Sequence, residues 1–162
     1  MSTRPDDIDK ERILAEAPVI GKVPDGVARP QWSVMIPVYN CAKFLPETLN
    51  SVLAAGLPEG RMQIAVVDDC SVDSDVRELV DRIGNDRIEY FRQKENVGSL
   101  RNFHTCLERS RGHLIHLLHG DDVVRPGFYE KVEALFDRFP AAGAAFCRYE
   151  YIDEASRVMY KQ

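Results

Sequence analysis

Ile64-Ala65-Val66-Val67-Asp68-Asp69-Cys70-Ser71 decides the fold. Four apolar residues in a row do not alternate a wet face with a dry one, so the run reads as a strand covered on both sides, ending in two carboxylates. Upstream, Ser33-Val34-Met35-Ile36-Pro37-Val38 is a second such run. Between them Leu45, Leu49, Val52 and Leu53 recur at helical spacing, with Pro46 suited to a first turn and Gly56 to the end. Downstream the alternation continues. Val76, Leu79, Val80 and Ile83 predict a helix, Ile88 to Phe91 a strand, and Leu100, Phe103 and Leu107 a helix. Leu114 to Leu118 predicts a strand. Pro126 then opens a helix carrying Val132, Leu135, Phe136 and Phe139, and Ala144 to Tyr149 predicts a fifth strand. Strands alternating with helices predict a three-layer α/β/α domain around a mostly parallel sheet.

In such sheets ligands bind beyond the strand C-termini. Four loops converge there: Pro37-Val38-Tyr39-Asn40, Asp68-Asp69-Cys70-Ser71, Glu95-Asn96-Val97-Gly98 and His119-Gly120-Asp121-Asp122. Two acidic pairs sharing one crevice repel each other, which predicts a positive charge between them. A hard divalent cation, Mg²⁺ or Mn²⁺, takes oxygen ligands and bridges carboxylates to phosphate oxygens. The other carboxylate pair is then expected to accept hydrogen bonds from a base or ribose. Taken singly, Asp68, Asp69, Ser71 and Asp73 also fit the cap of a helix, and Asp121-Asp122 a turn. What favours a ligand site is their joint placement at strand ends, which capping does not require.

The chain has 162 residues, 26 acidic against 21 basic, a net charge of −5 and 44% hydrophobic residues. That is enough to bury a core without disulfide or metal staples, and it argues against disorder. The acidic balance disfavours nucleic-acid and polybasic membrane-surface binding. No stretch is apolar enough to span a bilayer and the charged N-terminus does not read as a signal peptide, so the expected location is cytoplasmic. Cys41, Cys70, Cys106 and Cys147 lack metal or disulfide spacing and read as reduced thiols. His113, His116 and His119 do not form a metal triad, because residues three apart on a strand face opposite ways. Residues 1–30 read as an arm, with amphipathic turns around Ile8, Ile13 and Leu14 followed by a Gly/Pro linker, and 31–162 as the domain.

Val34-Met35-Ile36-Pro37-Val38-Tyr39-Asn40, the run from Ile64 to Ser71, Asn96-Val97-Gly98, and Leu117-Leu118-His119-Gly120-Asp121-Asp122 with Pro126 following together resemble family 2 glycosyltransferases of the GT-A fold. The match covers roughly residues 32–150 and the nucleotide-binding half of that family. The resemblance implies a nucleotide-diphospho-sugar donor, UDP-linked, held at Pro37, Val38, Tyr39, Asn40, Asp68, Asp69, Asn96, Gly98, Arg101, His119 and Gly120. Of these, Pro37 and Tyr39 would hold the nucleobase, Asp69 the uracil or ribose, and Arg101 the diphosphate. It implies a divalent cation on Asp121, with Asp122 beside it. Two departures stand out: His119 replaces the first acid of the family's D-x-D element, and the interval from Asn96 to Arg101 is short.

The implied reaction is metal-dependent, inverting transfer of the sugar to an acceptor hydroxyl of a glycan, lipid or protein. Its general base is expected in the acceptor-binding half, beyond Gln162. Asp153-Glu154-Ala155-Ser156 reads instead as a turn between two strands. The chain therefore reads as a donor-binding half truncated at its C-terminus, with self-association through the exposed face as a consequence. Two other readings stay open: a non-catalytic sugar-nucleotide or partner-binding module, and a receiver-like signalling domain built on Val66-Val67-Asp68-Asp69.

Overall fold

The two apolar runs become β1 (Trp32–Val38) and β2 (Met62–Asp68), each seven residues long and buried at every position. In the computed structural model, which describes residues 20–161, they are the inner strands of a parallel sheet. Its outer strands are β3 (Glu89–Arg92) and β4 (Leu114–Leu117), and the order is β3-β2-β1-β4. Three helices connect them: α1 (Leu45–Leu53), α2 (Val76–Gly84) and α3 (Ser99–Arg109).

Register sorts the side chains. Met35 pairs with Ala65 and Leu117, and Val67 with Pro37 and Phe91, so odd-numbered positions share one face. Met35, Ala65 and Val67 pack there with Cys106 of α3, flanked by Phe91 and Leu117. Even-numbered Val34, Ile36, Ile64 and Val66 are buried on the other face. β1, β2 and β3 step across the sheet in one direction and β4 returns to the far side. Right-handed crossovers therefore put α1 and α2 on the even face and α3 on the odd face. α1 and α2 indeed pack on each other, and α3 lies against β1, β2 and β4.

The sheet-facing stripe of α3 is Asn102 and Cys106, whereas Leu100 is 81% exposed. Helical spacing alone does not choose which stripe faces inward when a polar residue has a buried partner, and Asn102 donates through Nδ2 to the Val67 carbonyl at 2.9 Å. Ala144 to Tyr149 is not a strand. Its residues stay mostly exposed, Phe146 at 90%, so the burial that would favour a strand there is missing.

Residues 125–162 form a second compact unit. It contains α4 (Phe128–Arg138), entered through Gly127 at φ 76°, and an antiparallel pair, β5 (Glu150–Ile152) with β6 (Val158–Lys161). The turn expected at Asp153 is there: Asp153 Oδ1 accepts from the Ala155 and Arg157 amides, each at 3.0 Å, and Oδ2 from Arg157 Nε at 2.8 Å. Those bonds, the Arg157 side chain foremost, hold its carboxyl below the usual range. Residues 21–30 have no helix or strand, and the turns expected around Ile8, Ile13 and Leu14 lie outside the described residues. Among the described residues no helix is long and apolar enough to cross a membrane.

Candidate functional site

The parallel sheet brings the ends of β1, β2 and β4 to one edge, and the loops leaving β1 and β2 are tied together. The Asp69 amide donates to the Val38 carbonyl at 2.8 Å. The Asn40 amide donates to Ser71 Oγ at 3.0 Å, and Asn40 Oδ1 accepts from the Val72 amide at 2.9 Å. The Ala42 amide donates to Asp73 Oδ2 at 2.9 Å. Asn40 and Cys70 both take left-handed backbone, at φ 50° and 64°, where both loops turn; asparagine tolerates that region because its short side chain bonds locally. Ser71 and Asp73 thus brace the neighbouring loop and do not cap a helix. The cap of α2 is Asp75, whose Oδ1 accepts from the Glu78 amide at 3.0 Å.

The paired acids of β2 have separate tasks. Asp68 is fully buried, and its Oδ2 accepts from Arg92 at 2.5 Å and from the Tyr90 hydroxyl at 2.7 Å. Its Oδ1 accepts from the Ser71 amide at 2.9 Å. Arg92 reaches on to the Ser71 carbonyl at 2.8 Å. A guanidinium from β3 therefore neutralises this carboxylate, separately from the positive charge expected between the two acidic pairs. Asp69 is 2% exposed. Its two oxygens accept the Val97 and Gly98 amides at 2.8 and 2.9 Å, while Asn96 Nδ2 donates to its carbonyl at 3.2 Å. Asp68 is spent on Arg92, Tyr90 and Ser71, whereas Asp69 lines the cleft and, with one amide on each oxygen, keeps acceptor capacity for the base or ribose expected there. Both are engaged in shaping the edge.

What remains is a cleft of about 400 Å³. One wall is Pro37, Val38, Tyr39 and Cys41, another Asn96, Gly98, Ser99, Asn102 and Phe103, and Asp69, His119, Gly120 and Asp121 complete it. At the β4 end, His119, Asp121 and Asp122 each offer one donor atom, all within 4.8 Å of one another and exposed. Partial burial, and next Asp121, push the Asp122 carboxyl up, against the pull of His119. An imidazole nitrogen and two carboxylate oxygens at that spacing suit a divalent cation. Gly120 lets the loop sit this close: a Cβ there would lie 2.7 Å from Cys41 Sγ and 3.0 Å from Val38 Cγ2. Burial foremost, with the charge of Asp121, Asp73 and Asp68 adding to it, pushes the Cys41 thiol up to about 11, so it packs as a thiol.

Of the residues carried over by resemblance, Pro37, Val38, Tyr39, Asp69, Asn96, Gly98, His119, Gly120 and Asp121 line this cleft. Asp122 joins the donor cluster. Asn40 and Asp68 brace the loops, and neither they nor Arg101, exposed on α3, are among the lining residues. Sequence reasoning missed Cys41, Ser99, Asn102 and Phe103. Asn102 had a readable signal, a polar residue one turn before Cys106 on the same helix face.

The model of glycosyl transferase family 2 matches residues 33–162. The chain belongs to glycosyl transferase family 2. TuaG of Bacillus subtilis, a putative teichuronic acid biosynthesis glycosyltransferase, is 32% identical to this family 2 chain over 68% of it and 44% of TuaG. The fold is that of Staphylococcus aureus TarS 1-349 in complex with UDP-GlcNAc, at TM-score 0.63 and 20% identity over 75% of this chain and 40% of that 1-349 chain. The mannosyltransferase PcManGT from Pyrobaculum calidifontis, in complex with GDP-Man and Mn²⁺, superposes at TM-score 0.52 and 24% identity, covering 70% and 33%. The GT-A expectation is thereby met and the receiver-like alternative falls. The chain spans less than half the length of the curated relatives it matches.

Proposed function

We propose that this family 2 chain binds a nucleoside-diphosphate sugar, UDP-linked, with a divalent cation, for inverting transfer of the sugar to an acceptor hydroxyl. The observation that supports this best is the cluster of His119, Asp121 and Asp122 donor atoms within 4.8 Å, two of whose residues, His119 and Asp121, line the same cleft as Tyr39. A uracil is flat and apolar on its faces, so Tyr39, 52% exposed, would stack on it while Pro37 and Val38 offer backbone groups to its edge. Asp69 would act at one remove, by fixing the Asn96–Gly98 turn that walls the nucleoside. Asp121 and Asp122 would hold the cation, with His119 as third donor. When bound, that cation supplies Lewis-acid neutralisation of the charge gathering on the diphosphate. In the transfer itself the C1–oxygen bond to the diphosphate breaks, with its electron pair leaving on the diphosphate. The acceptor oxygen bonds C1 from the opposite face, and its proton passes to a base. No described residue of the cleft is assigned that last role. Asp69 is held by two amides and Asp121 belongs to the donor cluster.

Isothermal titration of UDP and UDP-sugars into the chain with Mn²⁺, with and without chelator, tests this. Binding that needs the cation, and that Asp121→Ala abolishes, is expected. Binding indifferent to chelator, or no binding at millimolar nucleotide, overturns it.

A further inference from the structure

Among the described residues none from β3 lines the cleft, yet the last residue of that strand grips the loop leaving β2. The guanidinium of Arg92 forks. Its Nη1 donates to Asp68 Oδ2 at 2.5 Å, while Nη2 donates to the Ser71 carbonyl at 2.8 Å and lies 3.6 Å from Cys70 Sγ. The two ends of the fork land on either side of Cys70, which takes left-handed backbone at φ 64°. A residue with a side chain keeps that conformation only where its surroundings impose it. The turn is closed from within as well, because the Ser71 amide donates to Asp68 Oδ1 at 2.9 Å. Fixed in this way, Ser71 Oγ accepts from the Asn40 amide at 3.0 Å, and Asn40 follows Tyr39, which lines the cleft and is 52% exposed.

We infer that Arg92 is a positioning residue: by clamping the Cys70 turn it sets Ser71, through Ser71 the Asn40 backbone, and through Asn40 the place of Tyr39 against a nucleobase. The inference rests on the nucleotide reading given above and extends it to a residue outside the cleft. Arginine suits the task because its planar fork spans a carboxylate and a carbonyl at once, whereas the ammonium of lysine is a point charge. Charge and geometry therefore separate in Arg92→Lys. Lysine keeps a cation beside the buried Asp68, which would otherwise be left uncompensated, and loses the second arm of the fork. Tyr90 supplies the contrast: its hydroxyl donates to the same Asp68 oxygen at 2.7 Å but makes no hydrogen bond to Ser71.

Isothermal titration of UDP with Mn²⁺ into the full chain and its variants tests this, with urea unfolding run on each. Arg92→Lys is expected to weaken UDP binding about tenfold, since a wall no longer set in advance must be ordered on binding. Ser71→Ala removes only the acceptor of the Asn40 amide and is expected to reproduce that loss, which keeps the test decisive if Arg92→Lys fails to fold. Tyr90→Phe is expected to lower stability and leave UDP affinity unchanged. In a Tyr39→Ala chain, Arg92→Lys or Ser71→Ala is expected to add no further loss, whereas a merely structural role would cost as much with or without the ring. UDP affinity unchanged in both Arg92→Lys and Ser71→Ala, or a loss that persists in the Tyr39→Ala chain, overturns the inference and leaves the nucleotide reading standing. No UDP bound by the wild type overturns both.

Discussion

Replacing Asp69 by asparagine keeps the size of the side chain and removes only its ability to receive two amides. In the wild type, the two carboxylate oxygens take the Val97 and Gly98 N–H groups at 2.8 and 2.9 Å in a position 2% exposed. Bonds to a charged acceptor contribute about 1.5–3 kcal/mol each, and a buried donor left unpaired costs about 1–3 kcal/mol. Asparagine can retain one bond, now neutral, and turns an NH₂ toward the other amide. The net cost of holding the Asn96–Gly98 turn is then about 2–4 kcal/mol. At about 1.4 kcal/mol per decade this corresponds to a thirtyfold to thousandfold loss of hydrogen-exchange protection at Val97 and Gly98. Nuclear magnetic resonance on the labelled chain reads both amides individually, and urea unfolding reads the global share. Unchanged protection at both amides in Asp69→Asn would refute the bracing role assigned to this carboxylate.

Gly120→Ala places a methyl 2.7 Å from Cys41 Sγ and is expected to cost about 1–3 kcal/mol in chemical denaturation; Cys41→Ala in the same chain should return part of it, and absence of any rescue would place the strain elsewhere. Burial lowers the His116 pKa from 6.5 to about 4, so below pH 6.5 the unfolded chain binds a proton that the folded one refuses. Stability contributed by the neutral ring is full above pH 6.5 and is lost as pH falls toward 4, up to about 3 kcal/mol in all. Urea midpoints across that range should slope for the wild type and flatten in His116→Gln. Tyr90→Phe deletes one of the bonds to Asp68 while Arg92 remains, so the loss should stay near 1 kcal/mol; a much larger loss in thermal unfolding would mean that the hydroxyl anchors more than Asp68.

The sheet was legible because β1 and β2 are unbroken apolar runs, and only burial on both faces produces that pattern. The cleft was legible in outline because parallel strands must end at one edge, so His119, Gly120 and Asp121 share a cleft with Tyr39. The individual tasks of the acids were harder to read. Nothing near Asp68 in sequence announces that Arg92, 24 residues on, will neutralise it, because that pairing depends on β2 and β3 being neighbours in register. Leu100 and Asn102 were exchanged for a similar reason: hydrophobicity predicts the inward stripe only when no carbonyl at a strand end calls for a donor. Residues 144–149 show the limit of apolar runs as strand signals, since the run stays mostly exposed and gains no burial from extending.

The cross-ties at Asn40, Ser71, Asp73 and the Val38 carbonyl are complete within the folded chain before anything enters the cleft. A guest on that side meets a wall already set, and little ordering entropy is left to be lost there. Ligands differing only in the part that rests on the β1 loop should therefore rank by fit and desolvation, with association rates nearly alike and residence times carrying the differences.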